Sequence, residues 1–88
     1  MINERDIERH LVKRAAAHGW FCRKVKWVGH NGAPDRVLMT KGRIIWVELK
    51  APGKRPTLQQ IAEHARMRVA GQTVAVVDSK EAVEALFA

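Results

Sequence analysis

Gly32-Ala33-Pro34-Asp35-Arg36-Val37-Leu38-Met39-Thr40-Lys41-Gly42-Arg43-Ile44-Ile45-Trp46-Val47-Glu48-Leu49-Lys50 is the stretch whose reading decides the fold. Two apolar runs, Arg36 to Met39 and Ile44 to Leu49, flank Lys41-Gly42, a dipeptide suited to a hairpin turn. Alternate side chains of a strand point to opposite faces, so Ile45, Val47 and Leu49 share one face, and Ile44, Trp46, Glu48 and Lys50 share the other. A strand apolar on both faces belongs in the middle of a covered sheet. The second face, however, begins apolar and finishes with an acid and a base.

Charge in such a place is costly unless it is partnered. The simplest inventory is a divalent cation held by Asp35, at the entrance of the first run, and Glu48, at the end of the second, with Lys50 facing the same ligand. Two carboxylates completed by carbonyls and water suit Mg²⁺, which keeps several waters and binds phosphate oxygens readily. Without a cation the acids repel each other, and one tends to take up a proton.

Pro34-Asp35 followed after a short turn by Glu48-Leu49-Lys50 resembles the PD-(D/E)XK nuclease signature. With Gly32-Ala33 ahead of it and Gln60 behind it on a helix, the pattern is similar to the virus-type replication-repair nuclease (VRR-NUC) branch, from Glu4 to about Gly71. The resemblance implies one domain over residues 1–88: an α/β fold with a mixed central sheet of about four strands flanked by helices, in the order α-β-β-β-α-β-α. It implies a Mg²⁺-dependent DNA endonuclease, with Mn²⁺ able to substitute, selective for branched DNA such as four-way junctions or flaps and working as a homodimer. Asp35, Glu48 and the backbone carbonyl of Leu49 become metal ligands. Lys50 orients or deprotonates water or offsets developing negative charge, and Gln60 supports the lysine or the substrate backbone. The family also carries a first-helix glutamate near its metal; Glu4 is the better positional match and Glu8 the alternative.

Composition bounds the remaining choices. The chain has 88 residues, enough for one domain, and a sequence that is 47% hydrophobic belongs to a folded domain. Sixteen Lys plus Arg against nine Asp plus Glu give a net charge of +7, with a pI near 10.4. That excess implies a polyanionic partner, nucleic acid or an anionic membrane. No apolar run approaches the ~20 residues that cross a bilayer. Met1 to Asp6 lack the pattern of a secretory signal, and the single Cys22 excludes an internal disulfide. A cytoplasmic setting is expected, in a bacterial or phage-infected cell as the resemblance implies.

Taken in order, Asn3 is an N-cap, Ile7, Leu11 and Ala15 form a helical stripe, and Gly19 is a stop. Phe21 to Val28 alternates as a strand in which Arg23, Lys24 and Lys26 beside Trp27 suit a phosphate-gripping surface or a lysine-guarded sheet edge. Gly29 to Gly32 is a loop from which His30 could approach a phosphate, and Lys54 and Arg55 follow Lys50 in a second loop that passing DNA would meet. Thr57 caps a helix with Leu58, Ile61, Ala65 and Val69 as its buried stripe, while His64 is read as structural or surface. Thr73 to Val77 is expected to be a buried strand parallel to Ile44–Leu49, and Asp78 with Glu81 to open a last helix with Ala82, Val83, Leu86 and Phe87 inward. His10, His18, His30, His64 and Cys22 have no familiar zinc spacing. The rival function is a non-catalytic basic DNA-binding module in which Asp35, Glu48 and Lys50 form a structural ion network.

Overall fold

The computed structural model describes residues 1–88 and gives the element order α1 (Glu4–Ala17), β1 (Phe21–Lys24), β2 (Arg36–Thr40), β3 (Arg43–Leu49), α2 (Leu58–Val69), β4 (Thr73–Val77) and α3 (Lys80–Ala85). The four strands form one sheet in the order β1-β2-β3-β4, with antiparallel pairs up to β3 and a parallel β3–β4 pair. The hairpin turns at Gly42, whose φ of +76° is a conformation glycine adopts at little cost.

α1 starts where expected because Asn3 and Asp6 cap each other's backbone N–H groups reciprocally. Its Ile7, Leu11 and Ala15 are fully buried against Leu38, Ile45, Val47, Leu49, Val77 and Val83. The core therefore lies on one side of the sheet, between it and α1 and α3. α2 covers the other side, the one carrying Trp46, Glu48 and Lys50.

Four expectations need correction. β1 ends at Lys24, because the chain leaves the sheet after Val25 donates to the Asp35 carbonyl at 2.9 Å; Lys26 and Trp27 are thus loop residues. β4 is a half-covered edge strand with Val76 at 39% exposure, since no strand lies beyond it. The cap of α3 is Ser79, which accepts from Ala82, while Asp78 accepts the Gly53 N–H at 3.2 Å.

The largest correction concerns α2. Thr57 and Gln60 form the expected capping box, but Leu58, Ile61, Ala65 and Val69 face solvent, and the residue that α2 buries is His64. Gln60, His64 and Met67 turn inward because the sheet face below them presents a carboxylate, which hydrogen-bond donors satisfy and aliphatic groups do not.

Gly32 fixes the loop before Asp35 against α2. A Cβ there would lie 2.6 Å from the Gln59 carbonyl oxygen and 2.9 Å from Glu63 Cβ, at a φ of +91°. Gly32→Ala is expected to destabilise the fold by about 2 kcal/mol or more. Gly53→Ala, at φ +77° with nothing within 4 Å, should cost only about 1 kcal/mol. Chemical denaturation of both variants checks the difference; equal losses would mean that Gly32 is not a packing constraint.

Candidate active site

The hairpin register builds the site. Arg36 lies opposite Val47 on β3, so one further step along the ladder sets Asp35 opposite Glu48 on the same face. Asp35 is anchored through its backbone, its N–H donating to the Val47 carbonyl at 3.0 Å, and through its carboxylate, which accepts the Leu49 N–H at 2.8 Å. Pro34, fully buried, holds the approach to it.

Glu48 is the buried member of the pair, with its side chain 2% exposed. Its Oε2 accepts from Gln60 Nε2 at 3.3 Å and lies 4.0 Å from Lys50 Nζ, and its Oε1 is 3.3 Å from His64 Nε2. Burial and the adjoining Asp35 carboxyl push Glu48 up to about 8, Lys50 opposing and the more distant Glu4 adding to the rise. His64, 1% exposed, is pushed down by burial and then by Arg68. A neutral imidazole that donates from Nε2 to Glu48 is the state these surroundings favour. Gln60 works at both ends: its Oε1 takes the Thr57 N–H at 2.8 Å while its amide nitrogen reaches Glu48.

The structure separates the two first-helix acids. Glu8 accepts from Arg36 at 2.8 Å and Lys24 at 3.1 Å; burial raises its pKa, and these cations outweigh that and lower it. Glu4 contributes instead to the field at Glu48. Asp35, Glu48, Lys50 and Gln60 are thus brought together, with Glu4 toward them and Glu8 committed elsewhere. Gln60 touches Glu48, whereas the family resemblance had assigned it to the lysine or the substrate.

The basic residues do not form one patch. Lys24 is engaged by Glu8, and the Arg23 guanidinium lies 4.3 Å above the Phe21 ring. Lys26 and His30 line a groove of about 700 Å³ with Trp27, Glu63, Arg66 and Met67. Lys54 and Arg55 are exposed on the loop after Lys50. His64 is the site residue that the sequence reading missed; its signal was its i, i+4 spacing from Gln60, which puts both on one helix face.

No three His, Cys, Asp or Glu side chains converge to cage an ion. The donor set does fit a cation that accepts two carboxylates and completes its shell with carbonyl and water oxygens, as Mg²⁺ does. The lifted Glu48 is the sign of that fit: two carboxyls face each other with less positive charge than both need to ionise.

No family model matches the chain. "Putative nuclease p44" of Acyrthosiphon pisum secondary endosymbiont phage 1 is 44% identical over 82 residues, covering 92% of this chain and 88% of that protein. A solved structure described as a VRR_NUC domain matches with a TM-score of 0.88 and 34% identity, over 96% of this chain and 92% of the other. Fold and relatives together define a domain of the nuclease class. Within that class, the chain belongs to the VRR-NUC family.

The raised Glu48 has a signed consequence. Its folded pKa, about 8, exceeds the ordinary 4.5, so between these values the native state holds a proton that the unfolded state has released. Stability in chelator should therefore fall as pH rises from 7 to 8, by up to about 1.4 kcal/mol. Glu48→Gln should remove that slope in urea titrations at the two pH values; an unchanged slope would show that Glu48 ionises normally.

Proposed function

We propose that the chain is a Mg²⁺-dependent DNA endonuclease, with Mn²⁺ able to substitute, that hydrolyses phosphodiester bonds in branched DNA. The observation that supports this reading is the pairing of Asp35 with Glu48 across adjacent strands, Glu48 held by Gln60 and His64 at 3.3 Å each and flanked by Lys50 at 4.0 Å. Asp35, Glu48 and the Leu49 carbonyl would hold the ion, with Glu4 adding negative field. Bound there, Mg²⁺ supplies Lewis acidity at a phosphate oxygen and lowers the pKa of a bound water.

The protein's own part is positional. Asp35 cannot swing away without losing the Leu49 N–H, and Glu48 cannot without losing Gln60 and His64. Lys50, 15% exposed at its side chain and 4.0 Å from Glu48, would orient water or offset charge on the phosphate under attack. Lys54 and Arg55 just beyond it, with Lys26 and His30 on the groove near α2, suit the sugar-phosphate backbone. The described fold is one four-stranded sheet with three helices, and selectivity for branched DNA would rest on recognition of DNA shape. A two-fold dimer would present two such sites to a symmetric junction.

Two measurements test this. Labelled duplex, single-stranded, flap and four-way-junction DNAs are incubated with Mg²⁺ or with chelator. Cutting is expected only with the metal and mainly on the branched substrates. Asp35→Ala and Glu48→Ala should each reduce it by at least about 10²-fold while DNA affinity changes little. Undiminished cutting in both variants would remove the site assignment, and absence of cutting under every condition would favour the structural-network reading. In the same binding assays, affinity should fall by about 0.9 log unit per phosphate contact per tenfold rise in salt, and Lys54→Ala should lower that slope by about one contact.

A further inference from the structure

The groove of about 700 Å³ beside α2 holds side chains that the paired acids do not use. Trp27 reaches it from the loop after β1. Its indole is fixed twice: Nε1 donates to Glu63 Oε2 at 2.6 Å, and the ring meets that of Trp46 at 5.7 Å between centroids and 63° between planes. The one polar atom of the side chain is thereby used, yet Trp27 remains only half-buried. What it adds to the groove lining is ring carbon, which suits an apolar or aromatic occupant. Met67, Ala70 and Val28, the last at 91% exposure, extend the same apolar surface.

The rim of the groove is charged. Lys26 is exposed, and Arg66, 69% exposed at its side chain, donates to Glu63 Oε1 at 2.9 Å. Both oxygens of Glu63 are thus engaged, one by Trp27 and one by Arg66. Two cations and the His30 imidazole therefore surround one neutralised carboxylate. An occupant that matches lining and rim together carries a planar ring with a negative charge attached to it, which is the chemistry of a nucleotide. A paired duplex satisfies only the rim, because its base faces are hidden in the stack. Placement ties the groove to the acids. Glu63 precedes His64, the residue that bonds Glu48, and a Cβ on Gly32 would meet Glu63 Cβ at 2.9 Å. The loop that brings His30 to the groove continues through Gly32 and Pro34 to Asp35. From His30 to Asp35 the chain spans at most about 18 Å. A strand with a phosphate at the acids therefore reaches the groove within a few nucleotides.

We infer that this groove binds one unpaired DNA base, stacked on Trp27 with its phosphate held by Lys26 and Arg66, and that this contact contributes to selection of branched substrates. The inference rests on the nuclease reading for the DNA that arrives there. Stacking on an aromatic ring tolerates every base, and Glu63, engaged at both oxygens, adds little discrimination among them. A branch point, flap or bulge offers such a base.

Equilibrium binding of the full chain in chelator tests this without any cutting. The probes are a duplex with one bulged nucleotide and the same duplex with a bulged abasic residue, which keeps the phosphate and lacks the ring. The wild type should bind the first at least about fivefold more tightly, the low end of the range for one base stacked on an aromatic side chain. Trp27→Leu should bring that ratio to about one, while Trp27→Phe, which keeps a ring without the Nε1–H, should retain most of it. Val28→Asp changes an exposed residue, so it should keep a native circular dichroism spectrum; it sets a charge on the apolar lining and should lower the ratio too. That variant decides the matter if Trp27→Leu does not fold. Equal binding of the two probes by the wild type, or an unchanged ratio in folded Trp27→Leu or in Val28→Asp, would overturn the inference. A ratio lost equally in Trp27→Phe would trace it to the Glu63 bond and overturn stacking. A protein that separates the probes and never cuts defeats the nuclease reading alone, and one that cuts branched DNA while binding both probes equally defeats this one.

Discussion

Two carboxyl groups held face to face across one hairpin are the constraint around which the rest of the chain is arranged. The β2–β3 register fixes the distance between Asp35 and Glu48, and a slip of one residue would send one of them to the opposite face. What prevents the slip is the other side of the same strands. Leu38, Ile45, Val47 and Leu49 are buried against Ile7, Leu11 and Ala15 of α1, and a shifted register would expose them. The apolar face thus specifies the polar one, and a core of modest size is enough to hold two carboxyl groups face to face.

That placement dictates the chemistry of the helix laid over it. A helix packed on a sheet normally turns its aliphatic stripe inward, but over Glu48 an aliphatic stripe would leave a buried carboxyl unsatisfied, at about 1–3 kcal/mol or more. Gln60 and His64 occupy those positions, and the stripe is displaced to the outside. The same substitution explains the neutral state favoured at His64. Both neighbours of Glu48 on α2 donate hydrogen bonds without bringing a full charge, so the site stays short of positive charge.

Most of the architecture was legible because it rests on local signals. Asn3, Gly19, Lys41-Gly42, Thr57 and Gly71 punctuate the elements through capping and turn chemistry, and the period-two pattern of Ile44 to Leu49 identified the central strand. The acids were legible for a related reason: a charged residue ending an apolar strand is a local contradiction that needs an explanation. What could not be read was orientation. The stripe of Leu58, Ile61, Ala65 and Val69 has the periodicity of a buried face, and periodicity reports that a face is apolar without saying what covers it. His64 was missed by the same logic, since its burial depends on Glu48, sixteen residues away. Likewise Lys24 looked like a free cation in sequence and is engaged by Glu8, a contact set by how α1 crosses β1.

The division of labour among the acids follows from these geometries. Glu8 lies beside two cations, so its charge is settled and its carboxylate is available for structure, tying α1 to β1 and β2. Asp35 spends one oxygen on the Leu49 N–H and remains partly exposed. Glu48 alone combines burial with a like-charged neighbour, and only its protonation state is strongly displaced upward. A divalent ion bound there as proposed would displace a proton from Glu48, and that exchange would offset part of the binding free energy. The hairpin, the polar underside of α2 and the lifted carboxyl are therefore one arrangement, in which the register that pairs Asp35 with Glu48 also dictates the donors that α2 lays over them.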